Sequence, residues 1–160
     1  MGVGAVVFND LKNSREKDVK FKFEDALNMQ GFTGPYVQFT HARLCSIERK
    51  FAELHPAAPA PDFALLTRDD EKQVLLHLVK FQREFERAVD TDEPSTLISA
   101  ILNFAGVLST WLTAGNSDRS ARVLADDAAV AAARLALVKV ARANIAEGLR
   151  LVGLKAPQRM

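Results

Sequence analysis

Apolar residues return every three or four positions along most of this chain, with polar residues between them. From Gly34 to about Leu54, the residues Val37, Thr40, Leu44, Ile47, Phe51 and Leu54 share one helical face. Thr33 stands before this run as an N-cap whose hydroxyl reaches the Tyr36 amide. Pro35 falls in the first turn, where a missing N–H costs nothing, and His55-Pro56 stops the helix. A second helix is predicted from about Arg68 to Val89. Val74, Leu78, Phe81, Phe85 and Val89 form its inner stripe, and Lys72, Lys80, Arg83 and Arg87 its wet side. A third, from about Pro94 to Ala114, buries Leu97, Ile101, Phe104, Leu108 and Trp111 and ends at Gly115-Asn116. The fourth starts at Asp126-Asp127 and reaches about Val152, with Val130, Leu137, Ala141, Ile145 and Val152 inside. Gly148 lies on that stripe at a cost of roughly 1 kcal/mol against Ala, which close approach of a neighbouring helix explains. Gly153 closes this helix.

The links carry the opposite signals. "PAAPAPDF", Pro56 to Phe63, is a proline-rich exposed connector, "DTDEP" breaks the chain before the third helix, and "NSDRSARVL" is irregular. No strand pattern competes across these segments. The predicted fold is all-α: an antiparallel bundle of four long helices plus a short N-terminal element. That element, "GVGAVVF", is a helix or a strand without an entry signal. A charged link follows, in which Lys12, Arg15, Lys17, Lys20 and Lys22 are diluted by Glu16 and Asp18. The chain divides accordingly into residues 1–30 and a bundle over 31–160.

Composition narrows the picture modestly. A chain of 160 residues suits one domain, and 48% apolar with 26% charged residues is ordinary for a globular protein. A net charge of +1 excludes the strongly basic class that announces nucleic acid by charge alone, and leaves room for a local patch. One cysteine, Cys45, forms no internal disulfide and fits a reducing, cytoplasmic setting. The N-terminus has neither the basic start of a signal peptide nor a myristoylation pattern. Pro94 to Ser117 carries no charge, yet Ser99, Asn103, Ser109, Thr110 and Thr113 fall mostly on one side of it. A central bundle helix is expected there rather than a membrane span.

The catalytic motifs are missing. His41, His55 and His77 lack metal spacing, and there is no nucleophile elbow, Walker loop or dinucleotide fingerprint. The acidic pairs Asp69-Asp70 and Asp126-Asp127 suit helix starts. No metal, no cofactor and no catalysis of its own are expected of this chain.

One strip stands apart. Tyr36, Phe39 and Arg43 lie at about 0°, 300° and 340° on the first long helix, flanking its apolar stripe. Either the rings edge the core and Arg43 is solvated, or the three form a shelf. A shelf of this kind stacks unpaired bases at roughly 1–3 kcal/mol each, with a guanidinium for phosphates or base edges. Arg134 falls inside the fourth stripe and needs a partner there: an internal carboxylate, a helix-end carbonyl, or an RNA group.

"DALNMQGFTGPYVQFTHARLCSI" resembles the start of the anticodon-binding domain of class I arginyl-tRNA synthetases. "AARLALVKVARANIAEGLRLVGLKAPQRM" is similar to that family's last helix and its terminal Pro-x-Arg-Met. "GVGAVVFNDLKNSREKDVKF" resembles the piece that joins the catalytic domain to the bundle, so residues 1–30 are expected to be the end of that domain and its linker. The resemblance implies a domain that grips the anticodon loop of arginine tRNA and reads the cytosine shared by arginine anticodons. By position it assigns Tyr36, Phe39 and Arg43 to the shelf and Met160 to the neighbourhood of the loop, and it brings Trp111 near that region although its spacing is that of core. Phe39 stands where the family has tyrosine, Gln30 where it often has Glu, and Leu112 where an aromatic is common. The HIGH and KMSK-type signatures that bind ATP are absent, so ATP and arginine are expected to bind a catalytic domain outside this chain. The expected partners are arginine tRNA and that domain, with no membrane. A helical protein-interaction bundle derived from such a domain is the alternative.

Overall fold

The computed structural model describes residues 2–14, 18, 22–28 and 31–160. Arg15, Glu16, Lys17 and Lys20 of the charged link, and Gln30, lie outside the described residues. The N-terminal element is a helix, α1 (Gly2–Leu11), followed by a single turn, α2 (Phe23–Ala26). The four long helices are α3 (Gly34–Leu54), α4 (Asp69–Asp90), α5 (Pro94–Ala114) and α6 (Ala128–Leu151). Short 3₁₀ turns at Phe63–Leu65 and Arg119–Ala121 interrupt the links.

The helix ends follow local chemistry. The Tyr36 amide donates to Thr33 Oγ1 at 3.2 Å, as the sequence predicts. Asp127 Oδ1 accepts from the amides of Ala129 at 2.8 Å and Val130 at 3.3 Å, which makes it the cap of α6. Gly153 adopts φ +73 past the end of α6, a conformation that favours glycine. Gly115 keeps a right-handed φ of −65, so it is no left-handed cap. A side chain there would meet Arg122 Cα at 2.9 Å, and packing is therefore what requires the glycine.

α4 and α5 are joined by a tight turn and run antiparallel, α3 packs on α6, and α5 touches every other long helix. The main core gathers Trp111, Phe104, Leu108, Ile101 and Ile98 from α5 with Leu44, Ile145 and Leu149. α5 is long and apolar enough to cross a membrane, and its apolar face is spent inside this core. α1 belongs to the same core through Phe8, which is fully buried. Gly34 lets the first turn of α3 lie on α1, since a side chain there would overlap the Gly4 carbonyl. Gly148 performs the same service for α6: a Cβ would stand 2.9 Å from Ile101 Cγ1 and 3.2 Å from Phe81 Cζ.

Two expected core positions are outside. Leu54 is 61% exposed and Val89 is 59% exposed. Each sits at the end of its helix, and a stripe is covered only as far as a neighbouring helix runs beside it.

Candidate nucleic-acid interface

The start of α3 is held from three directions. Gly31 takes φ +120 in the turn before it, and Thr33 Oγ1 donates to the Asn28 carbonyl while capping the helix. Tyr36 Oη donates to the Ala105 carbonyl of α5 at 3.2 Å, which pins the half-buried ring upright. One turn on, Arg43 Nη2 donates to the Leu112 carbonyl at 2.9 Å. Phe39 stands between them on the outer edge, 42% exposed.

These side chains wall a cleft of about 330 Å³, with Leu102, Gly106 and Leu112 of α5 as its floor. Burial pulls the Arg43 guanidinium down from its ordinary value, and the nearby Tyr36 opposes that shift. An arginine nevertheless stays charged. Leu112 takes one of its N–H groups, and a guanidinium carries five. The cleft thus offers two aromatic rings and a cation in a partly desolvated setting, which suits an unstacked base with its phosphate.

A third ring was not singled out in the sequence. Phe32 is 65% exposed and lines the same cleft. It lies in a loop between Gly31 and Thr33, where no helical stripe can claim it. That placement is the signal that could have found it.

For Arg134 and Trp111 the structure supports the internal alternatives, a buried carboxylate partner and a core position, over a place at the interface. Arg134 is 4% exposed; its Nε donates to Glu71 Oε1 at 2.5 Å, and its Nη1 to the carbonyls of Ser120 at 2.8 Å and Arg122 at 2.9 Å. Its partner is the internal carboxylate, and burial beside Glu71 keeps it away from a ligand. Trp111 is 1% exposed and packs in the main core, so its ring is not offered to a base.

Met160 is exposed but does not line the cleft. The tail leading to it is tied to another flank of α3. Gln38 Nε2 donates to the Lys155 carbonyl at 2.9 Å, His41 Nδ1 to that of Pro157 at 2.8 Å, and Arg49 Nη1 to that of Gln158 at 3.2 Å. Those three residues stand about 140–220° around α3 from Tyr36 at 100° per residue. Gln38 is thereby structural. Among the described residues, no three His, Cys, Asp or Glu side chains gather where a metal ion could be held.

The family model described as DALR anticodon binding domain matches residues 37–160. The chain belongs to the DALR anticodon-binding domain family. Its bundle matches the C-terminal helical domain of arginyl-tRNA synthetases. The arginine–tRNA ligase of Clostridioides difficile is 36% identical over 160 residues, covering all of this chain and 27% of that protein. The arginine–tRNA ligase of Pediococcus pentosaceus is 39% identical over 162 residues, again covering all of this chain and 26% of the relative. The solved Thermus thermophilus arginyl-tRNA synthetase superposes with a TM-score of 0.86 at 30% identity, over 99% of this chain and 26% of its own. The Plasmodium falciparum enzyme shares the fold, with a TM-score of 0.79 at 22% identity, over 99% of this chain and 27% of its own. The chain spans about a quarter of the length of the curated relatives it matches. The DALR family match begins one residue after Tyr36, within the first turn of α3.

Proposed function

We propose that this chain holds the anticodon loop of arginine tRNA for an arginine–tRNA ligase and performs no catalysis itself. Residues 31–160 are the binding unit, and residues 1–30 join it to a catalytic domain that binds ATP and arginine. The complex works in the cytoplasm. One observation carries the reading: Tyr36, Phe39 and Arg43 wall a single open cleft on a bundle of the anticodon-binding family. Tyr36 and Arg43 are braced by α5 carbonyls, so little side-chain freedom is lost when a base enters. Phe39 stacks without a hydroxyl to donate, and the polar reading of the base falls to Arg43 and backbone groups.

The test is filter binding of the chain to arginine tRNA and to the same tRNA with a mismatched anticodon, at stated salt. The matched tRNA binds tighter. Phe39→Ala and Arg43→Ala each lose about 1–3 kcal/mol of binding, or roughly 5- to 150-fold, with unchanged circular dichroism. Equal binding of the two tRNAs, or wild-type affinity in both variants, overturns the proposal.

A further inference from the structure

Three clefts meet along α5. The shelf cleft shares Phe32, Leu102 and Gly106 with a second of about 350 Å³, and the second shares Asn103 with a third of about 400 Å³. The three clefts lie in a row that leaves the shelf, passes the exposed Phe32 ring and follows the α4–α5 surface.

Its far part differs from the shelf in chemistry. α4 contributes Lys80, Glu84 and Arg87, and α5 contributes Ser95, Ser99 and Asn103. Lys80 is exposed and has no ion-pair partner among the described residues. Arg87 has only a loose, exposed contact with Glu84 at 3.7 Å. Thr110 and Thr113 further along α5 spend their hydroxyls on carbonyls of their own helix, whereas the exposed Ser99 hydroxyl and Asn103 amide face solvent. The α5 side is therefore polar and uncharged, Glu84 stands between Lys80 and Arg87 on the α4 edge, and Asp70 of the second cleft is already paired with Arg68.

We propose that these α4–α5 clefts form a second RNA subsite, which takes the phosphates and 2′-hydroxyls of the strand leaving the shelf. It rests on the anticodon-loop reading above. Bases stacked at Tyr36 and Phe39 leave a backbone that must continue over the surface, and the neighbouring clefts adjoin that point through Phe32, Leu102 and Gly106. Uncharged hydroxyl and amide groups on α5 bond sugars without repelling phosphate, and on the α4 edge Lys80 pairs a phosphate while Arg87 exchanges its loose contact with Glu84 for one. A groove of this kind beside a stacking platform is the general design of single-strand binding.

The test is the salt dependence of tRNA binding by Lys80→Ala/Arg87→Ala, from about 50 to 200 mM salt, with matched and mismatched anticodons. Each phosphate contact to a single strand adds about 0.7 to the slope of log K against log salt. The variant's slope is expected to be shallower by about 1.4, and its affinity at 0.1 M salt about 25-fold lower. Both tRNAs lose alike, because phosphate contacts carry no sequence information. Lys139→Ala, which removes an exposed charge from α6, leaves the slope unchanged. Thermal melts of the variants overlay the wild type, and the Lys80→Gln/Arg87→Gln pair gives the same slope. An unchanged slope in variants of a wild type that discriminates anticodons overturns this inference alone. So does a loss confined to the matched tRNA. A wild type that binds neither tRNA overturns the anticodon-loop reading and this subsite with it.

Discussion

Replacing Arg134 tests whether the most buried cation in the bundle is an internal strut or an RNA contact. Glu71 is fully buried and holds two donors, the Arg134 guanidinium at 2.5 Å and the Arg68 amide at 3.0 Å. Arg134→Met keeps an unbranched apolar stem and removes the charge, so a sealed carboxylate loses its counter-ion. Breaking one side of a buried pair costs about 3–5 kcal/mol, mostly from the charge left behind. Ser120 and Arg122 are exposed, so water can take over at their carbonyls and the loss there is small. Glu71→Met/Arg134→Met removes both charges and is expected to be within about 1–2 kcal/mol of wild type. Its residual deficit is the lost cap bond at Arg68. Urea denaturation of the four proteins closes the cycle, and singles of about 3–5 kcal/mol against a double of about 1–2 kcal/mol give an expected coupling energy of at least about 4 kcal/mol. Singles that each cost less than about 1 kcal/mol, or additive effects, would refute the strut. Filter binding supplies the functional arm: folded Arg134→Met binds arginine tRNA as wild type does. Lost binding at unchanged stability would return Arg134 to the interface.

Three further outcomes follow from the packing. Gly148→Ala gains about 1 kcal/mol of helix propensity but forces Ile101 and Phe81 to shift, so a net loss of about 1–2 kcal/mol and a lower Tm are expected. Gly106→Ala meets nothing within 4 Å and raises the Tm; the opposite order in thermal melts would contradict the packing account. Burial pulls the His41 imidazole below its ordinary value, against the Pro157 carbonyl that it bonds. The facing charges, Arg142 and Glu48, act in opposite senses. The unfolded chain therefore takes up the proton first, and stability is full above about pH 6.5 and falls as the pH drops through the lowered folded value. His41→Gln is expected to flatten that fall in urea melts between neutral and mildly acidic pH, and an identical pH profile in the variant would rule the histidine out.

Much of the site was legible because its signals are local. Thr33 and Pro35 mark the start of α3 through bonds and sterics that span only a few residues, so the position of Tyr36, Phe39 and Arg43 on one strip followed directly. Which of those side chains end up braced was not legible. The acceptors are Ala105 and Leu112, each 69 residues away in sequence, and backbone carbonyls leave no trace in residue type. Phe32 escaped for the complementary reason: a ring in a loop has no periodicity to betray it.

By itself the sequence determined where the helices start and stop, which face of each turns inward, and that Gly148 marks a close crossing. Capping, dipoles and period are properties of neighbouring residues, and no distant partner changes them. Only the tertiary structure decided that Arg134 is matched with Glu71 and that Leu54 and Val89 remain outside. Those outcomes depend on which helix lies opposite and how far it extends. Desolvation is set by that enclosure, and a helical wheel drawn for one segment contains no information about what encloses it.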